Sequence, residues 1–244
     1  MKTSKTAGII IIGNEILSGK VRDINSYFLA TELRSLGVDV RRISVIPDEI
    51  ETIGEEAAGF SRKYDYVFTS GGVGPTHDDV TMAGIAKGFG VQMVSHPDIV
   101  KVLLERYRKP ATGPVLKMAE VPEGSEIISN SELKFPVVLF RNIYIFPGIP
   151  EYLQKKFSSI REWFRGPSIY LKKLYLNAHE SEIAGNLNIV VEENPQVMFG
   201  SYPLTGTHEY RVLITVESRS EDVLNKAVDE LTGSLPAGAL VMVE

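Results

Sequence analysis

Residues 70–81 read SGGVGPTHDDVT, so Gly71, Gly72, Gly74 and Pro75 are followed at once by paired aspartates, Asp78 and Asp79. The glycines let backbone approach an anion, and a helix starting behind them offers unpaired N–H donors. Thr76 and Thr81 add hydroxyls to the same stretch. The carboxylates would repel a bare phosphate. Their presence points to Mg²⁺ or another divalent cation shared between carboxylate and phosphate.

Three other segments carry related residues. Residues 13–20 read GNEILSGK, with Glu15 between Gly13 and Gly19; Asp48 follows a strand-like run; residues 147–150 read PGIP, with Gly148 between prolines or their neighbours. Taken singly, 13–19 stands equally as a plain turn with a solvated Glu15. Asp48 alone fits the cap of the next helix, and 147–150 fits a turn. His77 either touches a phosphate or lies at the surface. His96, His179 and His208 lack the i, i+4 spacing of a helix-borne metal pair and are read as non-functional. Two nucleotide signatures fail. The 13–20 segment has five residues between its glycines, and Val21 stands where a P-loop needs Ser or Thr. The glycines at 71, 72 and 74 lack the G-x-G-x-x-G spacing.

The surrounding pattern places these segments at strand ends. Residues 8–12 are a β-branched run ending at Gly13. Residues 24–36 show helical spacing, with Ile24, Phe28, Leu33 and Leu36 near one face and Gly37 closing it. Strands are expected at 38–45 and 66–68, and helices at 49–63, 82–89 and about 98–108. This alternation predicts an α/β fold with a mostly parallel sheet and helices on both faces. A parallel sheet brings all four segments to its carboxyl edge, where open sheets bind ligands. After Pro110 the regularity lapses. Residues 118–122 are irregular, 137–140 and 144–146 flank Arg141 and Asn142 as a hairpin, and 151–164 form a closing helix. Arg165, Gly166 and Pro167 mark a domain boundary, giving domains 1–166 and 167–244. The second reads β-α-β-β-α-β, a small α+β domain of ferredoxin-like type.

Composition narrows the function classes. The net charge of −5 without a basic run argues against a nucleic-acid partner. The absence of cysteine excludes disulfides, thiolate metal sites and a Cys nucleophile, and suits a cytoplasmic location. No apolar run nears the roughly 20 residues of a membrane span, and the polar start, 1–7, is not a signal peptide.

Together, Gly13-x-Glu15-Ile16-Leu17-x-Gly19, Gly71-Gly72-x-Gly74-Pro75-Thr76-x-Asp78-Asp79-x-Thr81 and Pro147-Gly148-x-Pro150 resemble the MoaB/Mog-type molybdopterin-binding domain. The variant most alike stands at the front of CinA proteins and of eukaryotic FAD synthases. The resemblance spans about residues 8–164 and implies a three-layer fold. Glu180-x-Glu182-Ile183-Ala184 and Gly200-Ser201-Tyr202-Pro203 resemble the small domain that follows in those proteins. It implies that Asp79 and Asp48 are the functional aspartates and that Gly71, Gly72 and Gly74 form the phosphate-cradling turn. Val73 departs from the Mog-type pattern, which typically has Thr there. The chain given ends at Glu244, and neither the CinA amidohydrolase nor the FAD synthase adenylyltransferase activity is carried over.

The function implied is metal-dependent hydrolysis of a nucleotide pyrophosphate bond of the ADP-ribose or FAD type. Asp48 and Asp79 are then catalytic. Gly13, Glu15, Gly19, Gly71, Gly72, Gly74, Pro75, Thr76, Thr81 and Gly148 bind substrate, and Asp78, Asp79 and Glu15 hold the cation. The alternatives are molybdopterin binding with adenylylation, or a non-catalytic module for a phosphorylated cofactor. The family's habit implies a homo-oligomer.

Overall fold

The computed structural model describes residues 4–106, 113–129, 133, 135–206 and 209–244. The chain divides into two compact units, Met1–Gly166 and Pro167–Glu244.

The first unit begins with β1 (Thr6–Ile12), a single turn α1 (Asn14–Leu17), α2 (Asn25–Ser35), β2 (Asp39–Ile46), α3 (Ile50–Lys63), β3 (Tyr66–Ser70) and α4 (Thr81–Phe89). It continues with β4 (Met93–Ser95), α5 (Pro97–Arg106), α6 (Gly113–Lys117), β5 (Glu120–Pro122), β6 (Glu126–Ile128), β7 (Val137–Phe140), β8 (Ile143–Phe146) and α7 (Pro150–Ile160), closed by a 3₁₀ turn, Arg161–Phe164. The main sheet is six-stranded, in the order β2-β1-β3-β8-β7-β6. Its first four strands are mutually parallel, whereas β7 runs antiparallel to both its neighbours, β8 and β6. The sheet is thus mixed and mostly parallel.

The isoleucine run explains why β1 is central. Ile9 and Ile11 enter one core with Leu29 and Leu33 of α2 and Leu153 and Phe157 of α7, while Ile10 and Ile12 enter a second core with Ile53 of α3 and Ile85 of α4. A strand buried on both faces needs apolar residues at every position rather than at alternate ones. Helices α3 and α4 approach backbone to backbone: a Cβ on Gly54 would lie 2.7 Å from the Gly84 carbonyl oxygen. That contact sets where α4 begins, and so where the glycine-rich turn must end.

Three local expectations are corrected. Residues 13–19, read as a loop, contain the turn α1. Residues 118–122, read as irregular, contain β5, which pairs antiparallel with β4; strands of three residues are too short to show a period. Asp48 does not cap α3. Glu49 is the residue before that helix, and its carboxylate accepts from Thr52 Oγ1 at 2.9 Å. Positions 107 and 108, assigned to the helix behind Pro97, lie outside the described residues, as does His208.

The second unit runs β9 (Tyr170–Leu176), α8 (Glu180–Glu193), β10 (Met198–Pro203), β11 (Val212–Ser218), α9 (Glu221–Ser234) and β12 (Leu240–Val243). Its four strands form an antiparallel sheet ordered β10-β11-β9-β12. Leu174, Ile214 and Val216 of the sheet pack with Ile183 and Leu187 of α8 and Leu224 and Leu231 of α9. No described helix is long and apolar enough to cross a membrane.

Candidate functional site

Because β2, β1, β3 and β8 are adjacent and parallel, the segments after Ile46, Ile12, Ser70 and Phe146 all emerge at one edge. Hydrogen bonds tie them pairwise. Gly13 N donates to Ile46 O at 3.1 Å, and Asn14 N donates to Asp48 Oδ2 at 2.8 Å. Gly71 N donates to Phe146 O at 3.2 Å. Asn25, buried at the start of α2, donates from Nδ2 to Ser70 Oγ at 3.0 Å and to Gly148 O at 2.7 Å. The segments after Ser70 and Phe146 are thereby joined to each other and to the start of α2, and those after Ile46 and Ile12 are joined to each other, in part through Asp48.

The turn itself depends on glycine. Gly71 and Gly72 have φ of 115° and 62°, values that L side chains rarely adopt. A Cβ on Gly71 would also collide with the Ile12 carbonyl oxygen, and one on Gly72 with Thr81 Oγ1. Thr81 is fully buried; its hydroxyl donates to Gly71 O at 2.8 Å and its N–H to Gly72 O at 3.0 Å. The expectation that Thr81 contacts a ligand is therefore corrected: its hydroxyl is spent on closing the turn.

A cleft of about 960 Å³ opens at this edge. Glu15, Gly71, Gly72, Gly74, Pro75, Asp79 and Gly148 line it; Gly13, Gly19, Asp48, Thr76, Asp78 and Thr81 do not. Asp48 and Asp79 thus share the sheet edge without facing each other across the cleft. Asp48 holds α1, which carries Glu15. Asp79 Oδ2 accepts from Thr76 N at 2.8 Å and Thr76 Oγ1 at 2.6 Å, and Asp78 Oδ1 lies 2.5 Å from the same hydroxyl. The Thr76 hydroxyl beside Asp78 holds that carboxyl below its usual range. His77 is at the surface, with a side chain 98% exposed.

The carboxylates do not fit a cation cage built by the protein alone. Among the described residues no three His, Asp or Glu side chains come together in metal-binding array. Asp78 and Asp79 turn toward Thr76, and Glu15 folds back over its own chain, its Oε1 only 2.5 Å from where a Gly13 Cβ would stand. The expected set of Asp78, Asp79 and Glu15 is not assembled as a unit.

Several cleft residues carried no readable signal. Lys117 donates from Nζ to the carbonyls of Thr76 and Asp79, at 3.0 and 3.2 Å, and so pins the aspartate loop to α6. Met82, Met93, Met118 and Phe135 supply an apolar wall. Lys156 of α7 enters from the side; burial pushes its ammonium down to about 7. A lone lysine on an amphipathic helix looks like any solvated lysine in sequence. Asn25 did leave a clue: it sits two residues after Asp23, whose Oδ1 accepts from Asn25 N at 2.9 Å. An Asp that already caps the helix leaves the next polar side chain free for other work.

Residues 8–166 match the family described as "probable molybdopterin binding domain". The chain belongs to that family. Residues 168–244 of this molybdopterin-binding-domain protein match the family described as "FAD synthase, middle domain". A protein of Archaeoglobus fulgidus is 35% identical over 222 residues, covering 91% of this chain and 94% of the relative. A protein named "probable FAD synthase" from Caenorhabditis elegans is 35% identical over 269 residues, covering 99% of this chain; the chain spans 52% of that relative's length. Among solved structures, CinA of Thermoplasma acidophilum, described as of unknown function, aligns at 30% identity with a TM-score of 0.61, covering 66% of this chain and 98% of that one. The MoaB/Mog-type and CinA-like resemblance read from the motif residues is thus shown.

Proposed function

We propose that the cleft binds a phosphorylated nucleotide or pterin, and that the protein hydrolyses a diphosphate bond of the ADP-ribose or FAD type. The observation that carries this reading is the meeting of three loops around one cleft, with Gly71, Gly72 and Gly74 in its wall beside Asp79 and a fourth loop bracing the turn of Glu15 through Asp48. A cleft of about 960 Å³ accommodates a dinucleotide-sized ligand. Backbone N–H groups of the turn and the start of α4 would hold one phosphoryl group. Asp79 would accept a proton from the attacking water. The water oxygen bonds to phosphorus, the bridging P–O bond breaks, and two phosphate monoesters leave. Asp48 acts as a positioning residue, through Asn14 and the turn that carries Glu15. A divalent cation would complete its coordination here only with the ligand's own phosphoryl oxygens beside Asp79, and its charge would offset that developing on phosphate. In this reading the three-layer N-terminal unit carries the chemistry. The C-terminal unit, ferredoxin-like in its β-α-β-β-α-β order, supplies none of the residues named.

A second reading, binding or adenylylation of a phosphorylated pterin, is favoured by the family description and by the wall of Met82, Met93, Met118 and Phe135. The test is ADP-ribose and FAD turnover by the full chain and by Asp79→Asn. Loss of about 10²-fold or more is expected for the variant. Undiminished turnover by Asp79→Asn rejects the hydrolytic mechanism, and absence of turnover by the parent favours the pterin reading.

A further inference from the structure

Lys156 is an unusual lysine for this chain. The described lysines with carboxylate partners, Lys5, Lys87, Lys173 and Lys226, hold them on exposed side chains at the surface. Lys156 instead sits between the core residues Leu153 and Phe157 on α7, half-buried, and lines the cleft. Its Nζ donates to the Pro136 carbonyl and stands 4.9 Å from the centroid of the Phe135 ring. No carboxylate pairs with it among the described residues. The titratable groups sharing the cleft are Glu15, Asp79, Glu120, Lys117, Tyr152 and Lys155. Of the other two lysines, Lys117 has committed its ammonium to the carbonyls of Thr76 and Asp79, and Lys155 is exposed.

One carbonyl and one ring face leave donor capacity on Nζ unspent, since an ammonium has three donors. Desolvation without a counter-charge accounts for the depressed value of about 7. An anion brought beside the group would reverse that effect and hold the proton on.

We propose that Lys156 is an anion-recognising residue of the cleft, which takes up a proton from solvent as a phosphoryl group of the ligand enters and so selects diphosphate esters over uncharged nucleosides. The inference rests on the reading of the cleft as a phosphoryl-ligand site, not on hydrolysis. It also sets the direction of the pH effect. Below about pH 7 the free protein already carries the proton and binding is insensitive to pH; above it, affinity falls about tenfold per pH unit.

The test is calorimetric titration of the full chain with the methylene-bridged analogue of ADP-ribose, which is not cleaved and has no group titrating near neutrality. Running it at about pH 8 in two buffers of different ionisation heat counts the protons exchanged. The parent should take up close to one proton. Lys156→Arg, charged throughout, should bind with no uptake and a flat pH profile. Lys156→Met, which keeps the aliphatic stem, should bind at least about tenfold more weakly with no uptake, its folding checked by thermal melting. No proton uptake by the parent, or a Lys156→Met protein matching its affinity and pH profile, overturns the proposal; so does failure of the parent to bind the analogue. Proton-linked binding of the analogue together with no cleavage of ADP-ribose upholds the role of Lys156 and removes the hydrolase reading. Cleavage without Lys156-dependent uptake does the opposite.

Discussion

Replacing Asn25 should loosen the site and the N-terminal unit together. Its Nδ2 makes two hydrogen bonds, at 3.0 Å to Ser70 Oγ and 2.7 Å to Gly148 O, from a position only 6% exposed. Each such bond contributes about 1 kcal/mol net, and leaving Gly148 O without this donor adds a desolvation cost of similar size. Ser70 Oγ keeps a weaker contact with Pro147 O at 3.3 Å, which limits the loss. Asn25→Ala should therefore destabilise the unit by about 2–3 kcal/mol. Asn25→Asp keeps the shape but turns a donor into an acceptor facing the Gly148 carbonyl; a buried charge without a partner costs more, roughly 3–5 kcal/mol. That extra cost should shrink in acid, as the new carboxyl protonates. Urea unfolding followed by fluorescence suits the question, because the single tryptophan, Trp163, belongs to the N-terminal unit. Turnover or ligand affinity should fall at least about tenfold with the clamp gone, since the loops it joins would no longer be held in register. An Asn25→Ala protein that unfolds within about 0.5 kcal/mol of the parent would refute the idea that Asn25 clamps the edge.

Gly72→Ala should cost roughly 1–3 kcal/mol in the same assay, because the residue is held at φ 62° and its new methyl would strike Thr81 Oγ1; the check is a parallel loss of ligand affinity, larger than at the exposed Gly19. Asp65 offers an acid-stability test. Lys5 hydrogen-bonds its carboxylate, Thr6 N and Oγ1 add two bonds at 2.8 Å, and the carboxyl is held down at about 2. The folded value lies below the unfolded one, so the stabilisation is present above about pH 4 and disappears as pH falls toward 2; solvent screening keeps it small. Asp65→Asn should flatten that acid limb in urea titrations, and an unchanged limb counts against the assignment. Stripping metal with EDTA separates a protein-built cation site from a ligand-built one. Mg²⁺ alone should leave the melting temperature unchanged, whereas Mg²⁺ with ADP-ribose should raise it beyond ADP-ribose alone. A shift from Mg²⁺ alone would mean that Asp78, Asp79 and Glu15 close on the ion after all.

Legibility divided along a physical line. The isoleucine run of β1, the amphipathic helices and the glycine-rich turn are local signals, and each reads from a window of about ten residues. The edge where four loops meet follows from strand direction once the sheet is parallel, so the positions of Gly71, Gly72, Asp79, Glu15 and Gly148 around one cleft were legible before coordinates. The partners of each polar group were not. Asp48 looks like a helix cap in sequence because a cap needs only the next three residues, yet its actual donor, Asn14 N, lies 34 positions earlier and one strand away. Paired aspartates likewise suggest a cation until the N–H and hydroxyl of Thr76 are seen to draw both carboxylates toward their own loop. Lys156 comes from a helix whose spacing marks only its buried face, Lys117 from a five-residue helix in the stretch after Pro110 where periodicity lapses, and the apolar wall draws on 82, 93, 118 and 135, scattered over several elements. Motif residues thus announce where a ligand's phosphate can sit, whereas the groups that decide which ligand enters are contributed by elements that sequence pattern treats as scaffold. That division is why the charge state of Lys156, rather than another motif residue, is the point at which the cleft's selectivity can be put to the test.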